Sequence, residues 1–401
     1  MDDANSSDLA CSSLPRHLSS FVDAFIDFSV SGLFFPSPSP SPRTNAPPTL
    51  HLPLSTHFPA PSRLVAIGDL HGDLPKSLQA LALAGLVDPF SLRWTGGSTV
   101  AVQIGDVLDR GSEEIRLLYL LHRIKLESAR AGGALLTIHG NHEVMNIEGD
   151  FRYVTPGGLQ EFKQWGRWFC VGLSMKRLCP GLEIPSRDPF KGIPTSFPGV
   201  KREFWEGFRA RIAALRPAGI LSRRFLSDNQ AVVVVGDSVF IHGGLLERHV
   251  EYGFERINKE ARDWIMGLNG RFSPWYLRGR DSVVWLRRFS DGFNCDCRHL
   301  EAVLSMIPGV RRMIMGHTIQ AEGINAVCED RAIRIDVGLS KGCSNGLPEV
   351  LEISGGLDLR VITANTLYDG RKTVPLAREE EKEGLALLLT NSRMNEVRSA
   401  A

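Results

Sequence analysis

The chain has 401 residues, with 46 Lys+Arg against 45 Asp+Glu, 43% hydrophobic and 23% charged. That apolar share builds a sizeable core and excludes collagen, coiled coil and wholesale disorder, and no apolar run approaches the ~18 residues that span a bilayer. A net charge of +1 gives no global reason to expect nucleic acid or a membrane as partner.

The start, Met1-Asp2-Asp3 with one Arg and no Lys before Arg43, lacks a secretory signal and the character of a transit peptide, so the cytosol is the expected compartment. From His17 to Phe35 an apolar patch carries Phe21, Val22, Phe25, Ile26 and Phe28 at helical spacing; it is expected to dock on the main domain rather than enter a membrane. Pro36–Pro42 alternates Pro and Ser, and prolines continue to Pro61, which reads as an extended linker. Residues 1–62 are therefore an N-terminal segment and linker.

Folding proper is expected from Arg63. Buried-looking strands at 64–67, 99–104 and 134–138 alternate with helical stretches at 74–86 and 112–131, a βαβαβ start with parallel strands. Later strands at 231–235, 238–241, 312–315, 332–336 and 348–353, with a Gly236-Asp237 hairpin turn, read as mainly antiparallel. The fold class is α/β with an α+β-like layering: two central β-sheets between helices in a catalytic domain over 63–364, enlarged by a helical insertion at about 150–228. A tail follows from 365 to 401, with a charge run at Glu379–Glu383. Seven cysteines form no dense disulfide framework. Cys295 and Cys297 read as paired surface thiols, with a redox-active pair and its redox partner as the alternative.

Each of the first three strands ends in a polar cluster: Gly68-Asp69-Leu70-His71-Gly72, Gly105-Asp106-Val107-Leu108-Asp109-Arg110-Gly111 and Gly140-Asn141-His142-Glu143. Two later strands end in Ile241-His242-Gly243-Gly244 and Gly316-His317-Thr318. Ligands of an α/β sheet sit at strand ends, so all five clusters can share one crevice. Asp69, His71, Asp106, Asn141, His242 and His317 make an oxygen-and-imidazole donor set without thiolate, suited to Mn²⁺, Fe or Zn²⁺. Six donors exceed one tetrahedral ion, and a shared Asp106 divides them into two sites. Two metals about 3.5–4 Å apart polarise a bridging water and clamp an in-line phosphoryl displacement. Arg110 can hold phosphate oxygens, and His142, oriented by Asp109, can protonate the departing alkoxide. Singly, each cluster is an ordinary turn; their ordered conjunction after successive strands is not.

At these residues the chain resembles the metallophosphoesterases, specifically the phosphoprotein phosphatase family, whose GDxHG, GDxxDRG and GNHE signatures stand intact at 68–72, 105–111 and 140–143. The resemblance implies a two-sheet fold, one metal at Asp69, His71 and Asp106, and a second at Asp106, Asn141, His242 and His317. It implies attack by a hydroxide shared between two divalent metals (Mn²⁺ in vitro, Fe or Zn natively), His142 as general acid paired with Asp109, and Arg110 as phosphate clamp. It also implies a second clamp arginine, for which Arg287 is preferred to Arg288. Within the family the chain is similar to the Shewanella-like protein phosphatases, notably the plant type 2 branch, over about residues 17–375. The implied activity is hydrolysis of phosphoserine and phosphothreonine in a phosphoprotein substrate. The branch resemblance and Cys295/Cys297 add the mitochondrial intermembrane space as an alternative compartment.

Two departures stand out. His242 follows Asn141 by 101 positions, room for an insertion, and Asp336-Val-Gly-Leu-Ser-Lys341 replaces the loop that helps conventional members hold toxin inhibitors. Weak sensitivity to okadaic acid and microcystin is the expectation. Residues 151–227 carry 14 Lys+Arg against 5 Asp+Glu, a net of +9, a field expected to attract acidic phosphosubstrates. The aromatics among them, such as Trp165 with Trp168, have the spacing of core faces. A dinucleoside polyphosphatase would share every metal ligand, whereas a silent phosphate-binding scaffold would lack one. Cys328 and Arg334 match a cysteine-phosphatase spacing, but two intervening carboxylates would repel phosphate.

Overall fold

A computed structural model of the chain describes residues 4–35, 55–178, 188–270, 272–292, 295–355, 358–368 and 370–374. The Pro36–Pro42 run and the Glu379–Glu383 charge run lie outside the described residues. The first part runs α1 (Ala4–Ser31), β1 (His57–Phe58), β2 (Arg63–Ile67), α2 (Leu74–Leu83), β3 (Val100–Gln103), α3 (Glu114–Arg130), β4 (Ala134–Thr137) and α4 (Asn141–Glu148). The insertion contributes α5 (Pro156–Arg177) and α6 (Trp205–Leu215). Then come β5 (Val232–Val235), β6 (Ser238–Ile241), α7 (Glu247–Tyr252), α8 (Phe254–Ile265) and α9 (Cys297–Ser305). The last strands are β7 (Arg312–Met315), β8 (Asn325–Val327), β9 (Ala332–Arg334), β10 (Glu349–Ser354), β11 (Asp358–Thr363) and β12 (Arg371–Thr373).

Two six-stranded mixed sheets result, ordered β12-β11-β10-β2-β3-β4 and β1-β5-β6-β7-β9-β8. The expected parallel β2, β3 and β4 are present, because helical crossovers link them. The second half is mainly antiparallel, as expected: β5–β6, β8–β9, β10–β11, β10–β2 and β11–β12 are all antiparallel pairs. The β5–β6 hairpin turns at Gly236 as expected, but β6 pairs parallel with β7, and β7 with β9. Helices α7 to α9 between β6 and β7 supply the length a parallel crossover needs. Strands outside 63–364 join both sheets: His57–Phe58 pairs with β5, and Arg371–Thr373 with β11. β4 meets the other sheet through the Ile138–Gln230 bridge, where His139 N–H donates to Gln230 O at 2.8 Å. That seam sets the carboxyl ends of β3, β4 and β6 side by side. β5 reads Val-Val-Val-Val and is buried throughout, a continuous β-branched run suited to a strand covered on both faces.

The insertion is built onto the catalytic layer. Pro156 opens α5 behind the Thr155 cap, whose side chain accepts the Gly158 N–H. In α6, Gly207 passes so close to the Leu159 backbone of α5 that a Cβ there would collide. Glu161 of α5 accepts the Ile115 and Arg116 N–H groups at 2.8 and 3.0 Å, so the insertion caps α3. The α1 helix docks as expected, with Val22 and Ile26 buried and Ile26 against Gly172. Its Asp27 takes both outer nitrogens of Arg224, each at 2.6 Å, and the Tyr119 hydroxyl at 2.9 Å. No helix among the described residues is long and apolar enough to cross a membrane.

The Cys295–Cys297 pairing needs correction. Cys297, first residue of α9, forms its disulfide with Cys328, 31 residues on, and Cys295 remains a free thiol. Cys328, Glu329 and Asp330, between β8 and β9, are consecutive left-handed residues with φ of 55° to 62°. The same bond removes Cys328 from any nucleophilic role.

Candidate active site

The five strand-end clusters converge in one crevice. His71, Asp106 and His142 place one ligand atom each within 4.8 Å of one another, and so do Asp106, His242 and His317. Asp106 is common to both groups, as the expected shared carboxylate must be. Asp69 stands beside them, accepting the His317 N–H, and Asn141 presents its Oδ1 to His242 Nε2 at 3.1 Å. Backbone geometry is unusual here: His71, Asp106, Asp109, Arg110 and His317 all have positive φ, between 46° and 68°. Such residues are costly unless the surroundings hold them. One clamp is Glu143, whose carboxylate accepts the N–H groups of Asp106, Val107, Leu108 and Gly140 at 2.8 to 3.1 Å. Another is the lack of a side chain at Gly140, whose Cβ would strike Asp106.

The donor set fits divalent cations. His71 Nδ1–H donates to Leu108 O at 3.0 Å and His242 Nδ1–H to Ile104 O at 2.8 Å. In the neutral ring, each second-nitrogen lone pair then points at the crevice, the arrangement of a metal-ligating imidazole. The His317 Nε2 is buried without a hydrogen-bond partner. Around His242 Nε2 stand Asn141 Oδ1 and, at 3.3 Å, Asp106 Oδ2, acceptors that a proton or a cation must satisfy. The charges agree. Burial, then the carboxylates of Asp336 and Asp106, push Asp69 well above the usual carboxylate range. Burial likewise pushes Asp336 up to about 6. Burial opposes ionisation of Asp106 too, but His242, His142 and His71 outweigh it and hold Asp106 well below its ordinary value. Burial lowers His71 to about 4, leaving it free to ligate at neutral pH.

His142 differs from these rings. Its Nδ1 lies 2.6 Å from Asp109 Oδ2 and its other nitrogen faces the crevice, 3.8 Å from Asp106 Oδ2. Burial would lower its pKa, but Asp106 and Asp109 prevail and raise it, favouring the protonated acid. The crevice has a volume of about 280 Å³, lined by His142, Arg110, Arg287, Tyr153, Trp285 and Asp336 among others. Arg287 reaches it while donating to His317 O and Thr318 Oγ1 at 3.0 and 2.8 Å, whereas Arg288 meets His299 at 2.6 Å. The Arg110 guanidinium lies 4.8 Å above the Tyr153 ring.

Some contributors escaped the sequence. Glu143 lies inside a motif, and its signal is a carboxylate beside a loop of backbone donors. Asp336 lies just beyond β9, as the motif residues lie beyond their strands, and in the sequence it shows only as part of the substituted loop. Glu114, Asn146 and Arg211 meet behind Asp109 from three separate helices, and no local pattern announces them. The basic field of the insertion is also smaller than its count. Lys176, Arg211 and Arg224 are paired to Asp23, Glu114 and Asp27 from outside the insertion.

A family model described as calcineurin-like phosphoesterase matches residues 62–320. Shewanella-like protein phosphatase 2 of Arabidopsis thaliana is 57% identical over 392 residues, 97% of either chain. Shewanella-like protein phosphatase 1 of Plasmodium berghei is 33% identical over 298 residues, covering 71% of this chain and 69% of that one. Among solved structures, a cold-active protein-tyrosine phosphatase of a psychrophilic Shewanella species superposes with a TM-score of 0.56 at 19% identity, covering 80% of this chain and 82% of its own. That likeness speaks for the fold.

Proposed function

Because the chain belongs to the calcineurin-like phosphoesterases, and within them to the Shewanella-like protein phosphatases, we propose that this metal-dependent phosphatase hydrolyses phosphoserine and phosphothreonine monoesters in proteins, with His142 as general acid. The carrying observation is the buried 2.6 Å contact between His142 Nδ1 and Asp109, with the opposite ring nitrogen facing the crevice. An alkoxide is a poor leaving group and needs such an acid.

Asp69, His71 and Asp106 would hold one divalent cation, and Asp106, Asn141, His242 and His317 a second. When bound, the pair supplies Lewis acidity towards the phosphate and makes water nucleophilic near neutral pH; Mn²⁺ is the ion proposed for reconstitution. Arg110 and Arg287 hold the phosphoryl oxygens from the crevice walls. As the bond from phosphorus to the serine or threonine oxygen breaks, the His142 Nε2 proton passes to that oxygen. Asp109 keeps the Nδ1–H in place and balances the imidazolium before the transfer.

Tyr153 and Trp285 on the rim favour a second reading, phosphotyrosine, because aromatic walls suit a phenyl ester. A panel of phosphoserine, phosphothreonine and phosphotyrosine peptides with dinucleoside polyphosphates separates these readings from a small-molecule activity. Purified protein, stripped of metal and reloaded with Mn²⁺, should hydrolyse the first two fastest. His142→Asn should then lose at least about 100-fold in kcat; undiminished turnover would overturn the mechanism. With Asp336–Lys341 in place of the toxin-holding loop, okadaic acid and microcystin should inhibit weakly, and nanomolar inhibition would refute this. Of the two compartments, the Cys297–Cys328 disulfide favours the intermembrane space over the reducing cytosol; fractionation decides between them.

A further inference from the structure

The crevice is backed by one side chain that no motif contains. Arg211 lies on α6 of the insertion, fully buried, with the Phe162 and Phe151 rings 4.5 and 5.5 Å from its guanidinium carbon. Its Nη2 donates to Asp109 Oδ1 at 2.9 Å and to Glu114 Oε2 at 2.6 Å. Nη1 donates to Glu114 Oε1 at 2.8 Å, and Nε to Asn146 Oδ1 at 2.7 Å. Every nitrogen of the fork is engaged. The acceptors are tied to the acid in turn. Asn146 Nδ2 donates to Asp109 Oδ2 at 2.9 Å and to His142 O at 2.9 Å, and Glu114 Oε2 accepts the Asp109 N–H at 2.9 Å.

Asp109 therefore has one oxygen for His142 and Asn146 and the other for Arg211, so the carboxylate cannot rotate without breaking a charge-assisted bond. Asp109 also has φ of 68°, a conformation its surroundings must enforce. We infer that Arg211 is a positioning residue: through Asp109 and Asn146 it fixes the imidazole of His142 in line with the leaving oxygen, making the insertion part of the proton-delivery apparatus. The inference rests on the reading of His142 as the acid. An anchor for the insertion alone would need none of this. Arg224 joins the insertion to α1 through Asp27, well away from the acid, and does so with a plain two-oxygen fork.

An acid matters most when the leaving group is poor, so the test compares phenyl phosphate with 2,4-dinitrophenyl phosphate on the metal-loaded protein. Arg211→Lys keeps the charge and loses the fork; Arg211→Met loses both. Each should lower kcat on phenyl phosphate by roughly 10-fold or more, with little change on the dinitrophenyl ester and KM within about twofold. Added guanidinium should restore part of the loss in Arg211→Ala. The far-downfield proton resonance of the His142–Asp109 bond should broaden or vanish in Arg211→Met. Arg224→Met, which unpairs the insertion elsewhere, should leave the ratio of the two esters at its wild-type value. Should the Arg211 variants fail to fold, Glu114→Gln loosens the same fork and carries the comparison. Equal loss on both esters, or none, in a folded variant overturns the inference. His142→Asn separates the two levels: if it also lacks leaving-group dependence, the acid assignment fails; if it alone shows dependence, only the role of Arg211 fails.

Discussion

Arg287 and Arg288 are adjacent and chemically identical, yet only Arg287 lines the crevice, while Arg288 is spent on His299. A charged hydrogen bond to phosphate is worth about 1.5–3 kcal/mol, so Arg287→Ala should cut kcat/KM on a phosphopeptide by roughly 10- to 100-fold. Arg288→Ala should stay within about threefold of wild type. Steady-state kinetics on both variants check this, and the reverse ranking would reassign the clamp. The convergence of the motif side chains on one crevice was legible because such chemistry needs those residue types at strand ends, and the strand ends are where the fold puts them. Glu143 was half legible, being inside a motif but acting on backbone donors that sequence does not display. Arg211 was illegible in principle. It reads as one more cation of a basic stretch until tertiary packing brings it 2.9 Å from Asp109, 102 positions away.

Among the elements, the alternation of apolar strands with amphipathic helices placed β2, α2, β3, α3 and β4 correctly, since period and length agree there. Direction was harder. Strands β5, β6, β7, β9 and β10 are legible in the second half, whereas six-residue β11 is not, and the parallel β6–β7 pairing depends on whether the intervening chain crosses over, as α7 to α9 make it do. Two-residue β1 and three-residue β8 and β12 are too short to carry a period. The α1 helix was legible as a docking helix from Val22 and Ile26, but its polar anchor was not. Asp27 answers both Arg224 and Tyr119 across the interface. Asp27→Ala leaves a part-buried guanidinium and a buried phenol uncompensated and should destabilise by about 2 kcal/mol. The expected sign is a lower Tm with kcat unchanged, because none of the three residues lines the crevice; a selective loss of kcat would show that α1 acts on the site.

For the whole molecule, composition hid a division of charge: Lys176, Arg211 and Arg224 of the insertion are answered by carboxylates of α1, α3 and the Asp109 loop, so that part of its surplus serves assembly. The same burial makes the fold sensitive to acid. Burial lowers His122 and His249 to about 4 and His139 to about 3. An unfolded chain binds these protons near pH 6.5. Each folded-state value is depressed, so between 6.5 and the folded pKa the unfolded state holds the extra proton. Stability contributed by each neutral ring is thus lost as pH falls through that window. For His249, dropping from pH 6.5 to 5 costs about 2 kcal/mol. Protonation there has a concrete target, since His249 Nδ1 accepts the Leu246 N–H at 3.0 Å at the start of α7. His249→Gln retains an acceptor at that helix position without a titrating group. On metal-free protein, which removes the pH dependence of ligation, the fall in Tm between pH 7 and pH 5 should be smaller for His249→Gln than for wild type. Parallel Tm-against-pH curves would mean that His249 is not part of the acid limit.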